Sequence, residues 1–442
     1  MLPVRLVVLD HGGGDLTLRC LEHLRALVPP PGGVEIVCID NGARDGSAAR
    51  VRHAFPDVDV IELDTNEGFG ANNHALGGLD GVRYVGLVNN DAFVEPGWLD
   101  PLVAALDADP GLGAACPRMV FEPRFAPIAI EAPPAQIARG DRRQVGIRIG
   151  RVLVDGVDMS SSVRFGSSGW GRDADGDRIS EWTHPRSVVF VPAPEGRSAL
   201  VTLEVDAPAD ATVTFDGGAG VVEQRVGTRR SLVEVPVASA RVDIVQNIGG
   251  VVFTDGYGAD RGWQEVDDGR LDAPVDVAAW CGGGVLLRPE YLADVGLFEP
   301  RFFLYYEDTD LSWRGLSRGW RYRAVPAARM RHVHSATTGG ASELSMVLTE
   351  RNRLLMLVRN ARSTFVVAQF LRFVAITASY ARRDVVHPLL SGRRPEGRIV
   401  RRRVRSFLGA LRGLPWALRS RRDLRRRRTV TDHDVERTFT AR

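Results

Sequence analysis

The sequence contains no lysine, so all 57 of its basic residues are arginine. A lysine nucleophile, a Schiff base and a phosphate-loop lysine are therefore excluded. Cysteine is scarce as well: Cys20, Cys38, Cys116 and Cys281 stand far apart, with no CxxC or Cys/His metal spacing. This predicts reduced thiols in a cytosolic environment rather than a disulfide framework. Long apolar runs are missing. The longest, Phe365 to Ala378, contains Gln369 and Arg372 and is expected to be too short to span a bilayer. No basic segment and small-residue cleavage site precede the first apolar run, so no secretory signal is expected. No GxGxxG fingerprint follows any strand-like segment.

What is present is ordinary globular material: 442 residues, 44% hydrophobic and 25% charged. That length exceeds what one hydrophobic core serves, so two or more domains are expected. The net charge of +2 is unevenly spread, because the last fifty residues are dense in arginine.

The first 125 residues alternate strand-like and helix-like stretches. Val4 to Leu9, Val34 to Ile39, Val58 to Leu63 and Tyr84 to Val88 read as buried strands. Leu16, Cys20, Leu24 and Leu27 mark a helical face between the first two. This order predicts a doubly wound, mostly parallel sheet. Three strands end in Asp10, in Asp40-Asn41 and in Asn89-Asn90-Asp91, so polar groups converge on one rim of the sheet. Ligands of open α/β sheets bind beyond such carboxyl ends. One carboxylate flanked by uncharged oxygen ligands can hold a divalent cation on a diphosphate. The plain alternative for Asp91 is a turn residue at a strand exit.

From about Val145 to Val245 helical periodicity disappears. Ala199 to Val205, Ala211 to Phe215, Val221 to Val226 and Ser231 to Val235 alternate apolar and polar residues between Gly, Pro and Asp turns. This predicts an antiparallel sandwich inserted into a loop of the α/β domain. Trp170, Trp182 and Trp263 lie in or near it, either as sugar-stacking platforms or as core residues.

Several separated blocks together resemble the nucleotide-sugar glycosyltransferases of family 2, which have the GT-A fold. They are Ile39-Asp40-Asn41-Gly42 with Asp45-Gly46-Ser47, Asn66-Glu67-Gly68-Phe69-Gly70 with Asn73, and Asn89-Asn90-Asp91. Downstream they continue in Cys281-Gly282-Gly283-Gly284, in Phe302 to Leu311 through Tyr306-Glu307-Asp308, and in His332-Val333-His334-Ser335. The likeness covers roughly residues 1–122 and 275–340, and bacterial rhamnosyltransferase-like members look most similar. The expected organisation is a nucleotide-sugar-binding half (1–125), an inserted β-sandwich (126–250), an acceptor and catalytic half (251–345) and a helical, Arg-rich tail (346–442).

The resemblance implies roles residue by residue. Asp308 is the general base, with Glu307 beside it in the same motif. Asp91 and His332 are the protein ligands of a Mn²⁺ or Mg²⁺ ion on the donor diphosphate, with His334 as the alternative second ligand. Asn89 stands where family members often carry another aspartate, and one fewer charge weakens cation binding. Asp10, Asp40, Asn66, Gly68, Asn73, Asn89 and Asn90 line the donor site, and Gly283, Tyr306 and Asp310 the acceptor site. Independently of any family, Glu307, Asp308 and Asp310 crowd three carboxylates into four positions, which raises at least one pKa toward a range useful for proton abstraction. The structural alternative is a helix N-terminus enriched in acids.

In the tail, Val400, Val404, Phe407, Leu408, Leu411 and Leu414 recur at helical spacing, with Arg401, Arg402, Arg405 and Arg412 on other faces. A basic amphipathic helix of this kind suits an anionic membrane surface. Nucleic acid is not expected as a partner, because no recognition fold or stacking aromatics accompany the arginines. The leading expectation is an inverting, metal-dependent hexosyltransferase, peripheral on the inner face of the cell membrane. It would move a sugar such as rhamnose from a nucleotide diphosphate donor to a lipid-linked or polysaccharide acceptor in cell-wall biogenesis. The alternative is a catalytically inactive carbohydrate-binding or scaffolding protein that works through its β insert.

Overall fold

The computed structural model describes residues 1–137, 142–175, 178–333 and 342–440. The chain folds as two units. One comprises Met1–Met119, Asn247–Arg261 and Asp272–Arg442, and the other Val120–Gln246 with Gly262–Leu271.

In the first unit, the apolar runs near the N-terminus form β1 (Val4–Asp10), β2 (Val34–Asn41), β3 (Asp59–Leu63) and β4 (Tyr84–Asn89). Helices α1 (Asp15–Arg25) and α2 (Ser47–Ala54) connect them. After β4 come β5 (Ala92–Val94), α3 (Leu99–Ala108) and β6 (Leu112–Phe121). The later segments add β7 (Gly250–Val252), β8 (Gly258–Asp260), β9 (Val275–Val277), β10 (Gly284–Leu287) and β11 (Arg321–His332). The main sheet runs β9-β11-β6-β10-β4-β1-β2-β3, with β5 paired to β11. β1 is parallel to both β2 and β4, and β2 is parallel to β3, whereas β10 runs antiparallel to β4. The sheet is therefore mixed, with its parallel half drawn from the first 89 residues.

Register brings the polar ends together. Asp10 lies beside Asp40 across β1 and β2, and Leu9 lies beside Asn89 across β1 and β4. His332, at the end of β11, pairs with Ala92, next to Asp91. Behind this rim, Val4, Leu6, Val8, Leu21, Leu24, Trp98, Leu102 and Leu106 are buried in one core. Full burial of each large apolar side chain contributes about 1.5–3 kcal/mol.

The second unit consists of antiparallel sheets. One contains Phe125–Glu131 and Arg186–Pro192 with Ala211–Asp216 and Val221–Val226. The other contains Arg148–Val154, Ala199–Asp206 and Ser231–Val237 among its strands. Ile128, Ile130, Val201, Leu203, Val213, Phe215 and Val235 from both sheets share a single apolar core. Trp182 is buried, while Trp170 and Trp263 remain partly exposed, each against an aromatic neighbour, His184 and Phe121 respectively. Residues 262–271 fold with this unit although they follow the 247–261 segment of the other.

The C-terminal helices, expected as a tail from residue 346, group with the first unit. They are α5 (Glu307–Leu316), followed after β11 by α6 (Glu343–Asn360), α7 (Ser363–Ala381) and α8 (Arg398–Arg427). The small residues Ser406, Ala410 and Ala417 of α8 are buried. A Cβ on Gly413 would stand 2.7 Å from the Leu355 side chain, so glycine there lets α8 approach α6 closely. Arg403 of α8 reaches Glu350 of α6 and Thr377 of α7, and Trp416 packs edge-on against Phe302. Thr440 closes the chain onto the β7 segment through bonds to Val252 and Thr254.

The apolar run around Phe365 is also longer as a helix than its composition suggests. Helical structure continues from Ser363 to Leu390, a 28-residue stretch long and apolar enough, by length and composition only, to cross a membrane. Ser, Thr and Tyr residues that break the apolar run in sequence do not break the helix. Gln369 and Phe373 are its buried residues, whereas Val367, Leu371, Val374, Leu389 and Leu390 are exposed.

Candidate active site

The site is built at the carboxyl ends of β1, β2 and β4, where β11 and the N-terminus of α5 meet them. At the end of β1, Asp10 is buried, and its Oδ1 accepts from the Gly13 backbone N–H (2.9 Å), Thr17 Oγ1 (2.6 Å) and Asn90 Nδ2 (2.8 Å). Its Oδ2 is buried and, among the described residues, without a partner. A Cβ at Gly13 would lie 2.0 Å from Asn90 Nδ2, so only glycine fits there. Asp10 and Asn90 thus fix the loop after β1.

Asp40, next to last in β2, caps the following turn by accepting from the Ala43 N–H at 2.8 Å. Burial is the main influence that pushes its carboxyl above the usual range. Asn41 acts as a bracket: its side chain donates to Asn66 Oδ1 and Gly68 O, and accepts from the Glu67 N–H. Gly68 has φ +68°, and a Cβ there would collide with Phe303 O at 2.1 Å. The next residue, Phe69, donates its N–H to the same carbonyl at 2.7 Å. The Asn66–Gly70 block therefore clasps the loop that leads to Asp308. Asn73 departs from the expected donor contact, because its amide exchanges both bonds with the Phe298 backbone, at 2.9 and 3.1 Å. Its polar atoms are spent on holding that backbone.

At the end of β4, His332 Nε2 lies 2.8 Å from Asp91 Oδ1, and Asn89 Nδ2 is 3.3 Å from the same nitrogen. Both Asp91 and His332 are buried. The Val333 N–H donates to Asp91 O, which fixes the strand exit. An oxygen and an imidazole nitrogen this close can serve as adjacent ligands of one small cation. Among the described residues no cluster of three His, Cys, Asp or Glu could hold a metal by itself. A cation here would therefore take its remaining ligands from water and from ligand phosphates. The alternative ligand, His334, lies outside the described residues.

Asp308 lies in the first turn of α5. It accepts from the Thr309 N–H at 2.6 Å and the Gly282 N–H at 3.2 Å, with Thr309 Oγ1 at 3.1 Å. Desolvation is nevertheless the largest influence on it and pushes its carboxyl up. Glu307 is pushed well up by burial and by the Asp308 charge, and its Oε2 is buried without a partner among the described residues. Both acids line a cavity of about 320 Å³ together with Asn247, Asp260, Tyr305 and Tyr306.

The loop before α5 is conformationally strained. Phe303, Tyr305 and Tyr306 all have positive φ (66°, 71° and 71°), which non-glycine residues rarely adopt. Such strain persists only where surrounding contacts impose it. Here they come from α6: Asn352 Nδ2, fully buried, lies within 2.9 Å of the carbonyls of Phe302, Leu304 and Tyr305. Tyr306 is buried, and its Oη accepts from the Gly258 N–H at 3.2 Å.

Two expected acceptor residues fall elsewhere. Asp310 is fully buried and engaged by Arg314 Nε at 2.9 Å, Arg359 Nε at 2.9 Å and Asn360 Nδ2 at 2.8 Å. It joins α5 to α6 and has no capacity left for an acceptor. Gly283 is buried behind Asn89, whose N–H donates to its carbonyl at 3.0 Å. The pattern had no means of finding Asp260 and Asn352: one lies in a glycine-rich stretch, the other inside a helix read as tail.

Comparison with known proteins finds a family match, partial relatives and distant solved structures. Residues 11–146 match the model of Glycosyl transferase family 2. A 71-residue segment is 37% identical to the N-acetylglucosaminyl-diphospho-decaprenol L-rhamnosyltransferase of Mycobacterium tuberculosis (strain CDC 1551 / Oshkosh). The same figures hold for its counterpart in strain ATCC 25618 / H37Rv. The segment covers 16% of this chain and spans only 23% of the relative. Among solved structures, GalNAc-T7 with UDP, GalNAc and Mn²⁺ is 14% identical over 87% of this chain and 51% of that one, with a TM-score of 0.44. The mannosyltransferase PcManGT from Pyrobaculum calidifontis with GDP-Man and Mn²⁺ is 13% identical over 96% and 74%, with a TM-score of 0.37. The family likeness thus rests on residues 11–146, less than a third of the chain.

Proposed function

We propose that the chain is an inverting glycosyltransferase that moves a sugar from a nucleotide diphosphate donor to a hydroxyl of a lipid-linked or polysaccharide acceptor in cell-envelope glycan synthesis. Rhamnose is the transferred sugar suggested by the relative's name. The observation that carries the reading is Asp308, a desolvated carboxylate held by two backbone N–H groups inside a cavity. Asp308 takes the proton of the acceptor hydroxyl. That oxygen bonds to the anomeric carbon as the bond to the diphosphate breaks, and the diphosphate leaves with the electron pair. Asp91 and His332 would hold a divalent ion, which supplies charge neutralisation of the leaving diphosphate. Asp10 and Asp40 face the donor's nucleoside end.

The inactive-scaffold alternative leaves the desolvated Asp308 and the Asp91–His332 pair without a use. Measuring release of nucleoside diphosphate from uridine, guanosine and thymidine diphosphate sugars, with and without Mn²⁺, separates the two. No release from any donor would favour the scaffold.

A peripheral position on the membrane rests on the exposed apolar residues of the 363–390 helix beside the arginines of α8. Phe373 of that helix stacks on Phe407 of α8 at 5.8 Å, and Arg403 donates to Thr377 Oγ1. One face is thus occupied by the unit itself, which favours a helix lying on the bilayer over one crossing it.

A further inference from the structure

The cavity that contains Asp308 and Glu307 holds a third acid, Asp260, the last residue of β8. Register places it opposite Gly250 in the β7–β8 hairpin. Its Oδ1 accepts from Asn247 Nδ2, and Asn247 is itself fixed by accepting from the Gly249 N–H at 2.8 Å. Burial chiefly, with the nearby Asp308 charge, pushes Asp260 up to about 6, against a lowering by Asn247 and His332. A buried carboxylate costs free energy unless it is paired.

Several acids of the first unit are paired to arginines. Asp310 has Arg314 and Arg359, Glu350 has Arg353 and Arg403, and Asp255 has Arg372. Among the described residues, Asp260, Glu307 and Asp308 share one cavity with no arginine ion pair to any of them. Carboxyl groups with no cationic neighbour disfavour a phosphate as the occupant. Hydroxyl groups satisfy them, since each O–H donates to a carboxylate. Tyr257, Tyr305 and Tyr306 complete the lining. A volume of about 320 Å³ lies at the small end of ligand pockets, which run from about 300 to 1,000 Å³.

We propose that Asp260 binds the acceptor, accepting a hydrogen bond from a hydroxyl next to the one that Asp308 deprotonates. The cavity then receives a neutral polyhydroxyl sugar and excludes any diphosphate carried by the acceptor. This assignment deepens the transferase reading and rests on it for the role of Asp308.

The test is isothermal titration of the full chain, loaded with UDP and Mn²⁺, with octyl glycosides of glucose, galactose, mannose, rhamnose and N-acetylglucosamine. At least one should bind, and Asp260→Asn should weaken it about tenfold or more, with UDP affinity within twofold of the original. Asp260→Ala should behave alike, and far-UV circular dichroism of both variants should match the unaltered protein. Binding of none of the glycosides, or equal binding by Asp260→Asn, would overturn the assignment. Asp260-dependent glycoside binding by a chain that releases no nucleotide from any donor would uphold it and contradict the transferase reading instead.

Discussion

His332 Nε2 and Asp91 Oδ1 stand 2.8 Å apart although 241 residues separate them in the chain. The antiparallel pairing of β11 with β5 sets that distance, because it puts His332 opposite Ala92. If the pair holds a divalent ion on the donor diphosphate, Asp91→Ala should weaken nucleoside diphosphate binding about tenfold with Mn²⁺ present. In a chelator the substitution should have little effect. Equal losses in both conditions, measured by titration calorimetry, would remove the metal from the account.

Asp308 must be ionised to accept a proton, and desolvation raises its pKa. Its ionised fraction falls as pH drops through that raised value. The turnover rate should therefore lose its acid limb at a pH above the ordinary aspartate value of about 3.9. A pH–rate profile that stays flat from neutrality down to that value contradicts the assignment.

Asp260 makes a prediction on stability. Its folded-state value near 6 exceeds its unfolded value of 3.8, so folding favours the protonated form. Stability is then highest below the unfolded value and falls as pH rises through the folded one. Asp260→Asn removes that penalty. It should melt with the unaltered protein near pH 4 and be more stable, by on the order of 1–3 kcal/mol, above pH 7. A gap that does not open between those pH values counts against a buried, unpaired carboxylate.

How far these residues could be read from sequence depended on how local their signal was. Asp10, Asp40 and Asn89 to Asp91 end short apolar strands, and the abrupt change from Val and Ile to amides and acids is visible without a fold. The alternation of residues 199–235 likewise corresponds to antiparallel strands. Asp310 was misleading because a carboxylate in an acidic cluster looks the same whether it faces a ligand or two arginines; its partner Arg359 is 49 residues away. Asn352 sits in a helix interior with no pattern of its own, and Asp260 lies among glycines that carry no periodicity. The folding of residues 262–271 with the inserted unit depends on long-range pairing such as Val245 N–H to Glu265 O, which no local pattern encodes.

The tail helices are structural as well as basic. Enlarging Gly413 to valine should separate α8 from Leu355 of α6 and cost about 1–3 kcal/mol. Activity should fall with it, because α6 carries Asn352. Truncation from Arg393 should therefore compromise the fold rather than merely detach it from a membrane. The membrane reading is tested instead by Leu371→Ser with Leu390→Ser, both on exposed positions. These should change stability by no more than about 0.5 kcal/mol while weakening binding to anionic vesicles. Unchanged vesicle binding would argue against that surface.

Asn352→Ala should leave the carbonyls of Phe302, Leu304 and Tyr305 without their shared donor and cost about 1–3 kcal/mol. The strained loop would relax, so acceptor KM should rise more than donor affinity falls. Proportionate losses of both would mean that the loop does not position the acceptor cavity.

The most direct test of a family 2 transferase centred on Asp308 is single-turnover transfer by Asp308→Asn, run with donor binding on the same preparation. The amide keeps the shape but cannot take the proton. Transfer should fall about 100- to 10,000-fold while nucleotide-sugar affinity stays within a few-fold. Transfer at the original rate, or a loss of donor affinity as large as the loss of rate, would contradict Asp308 as the base.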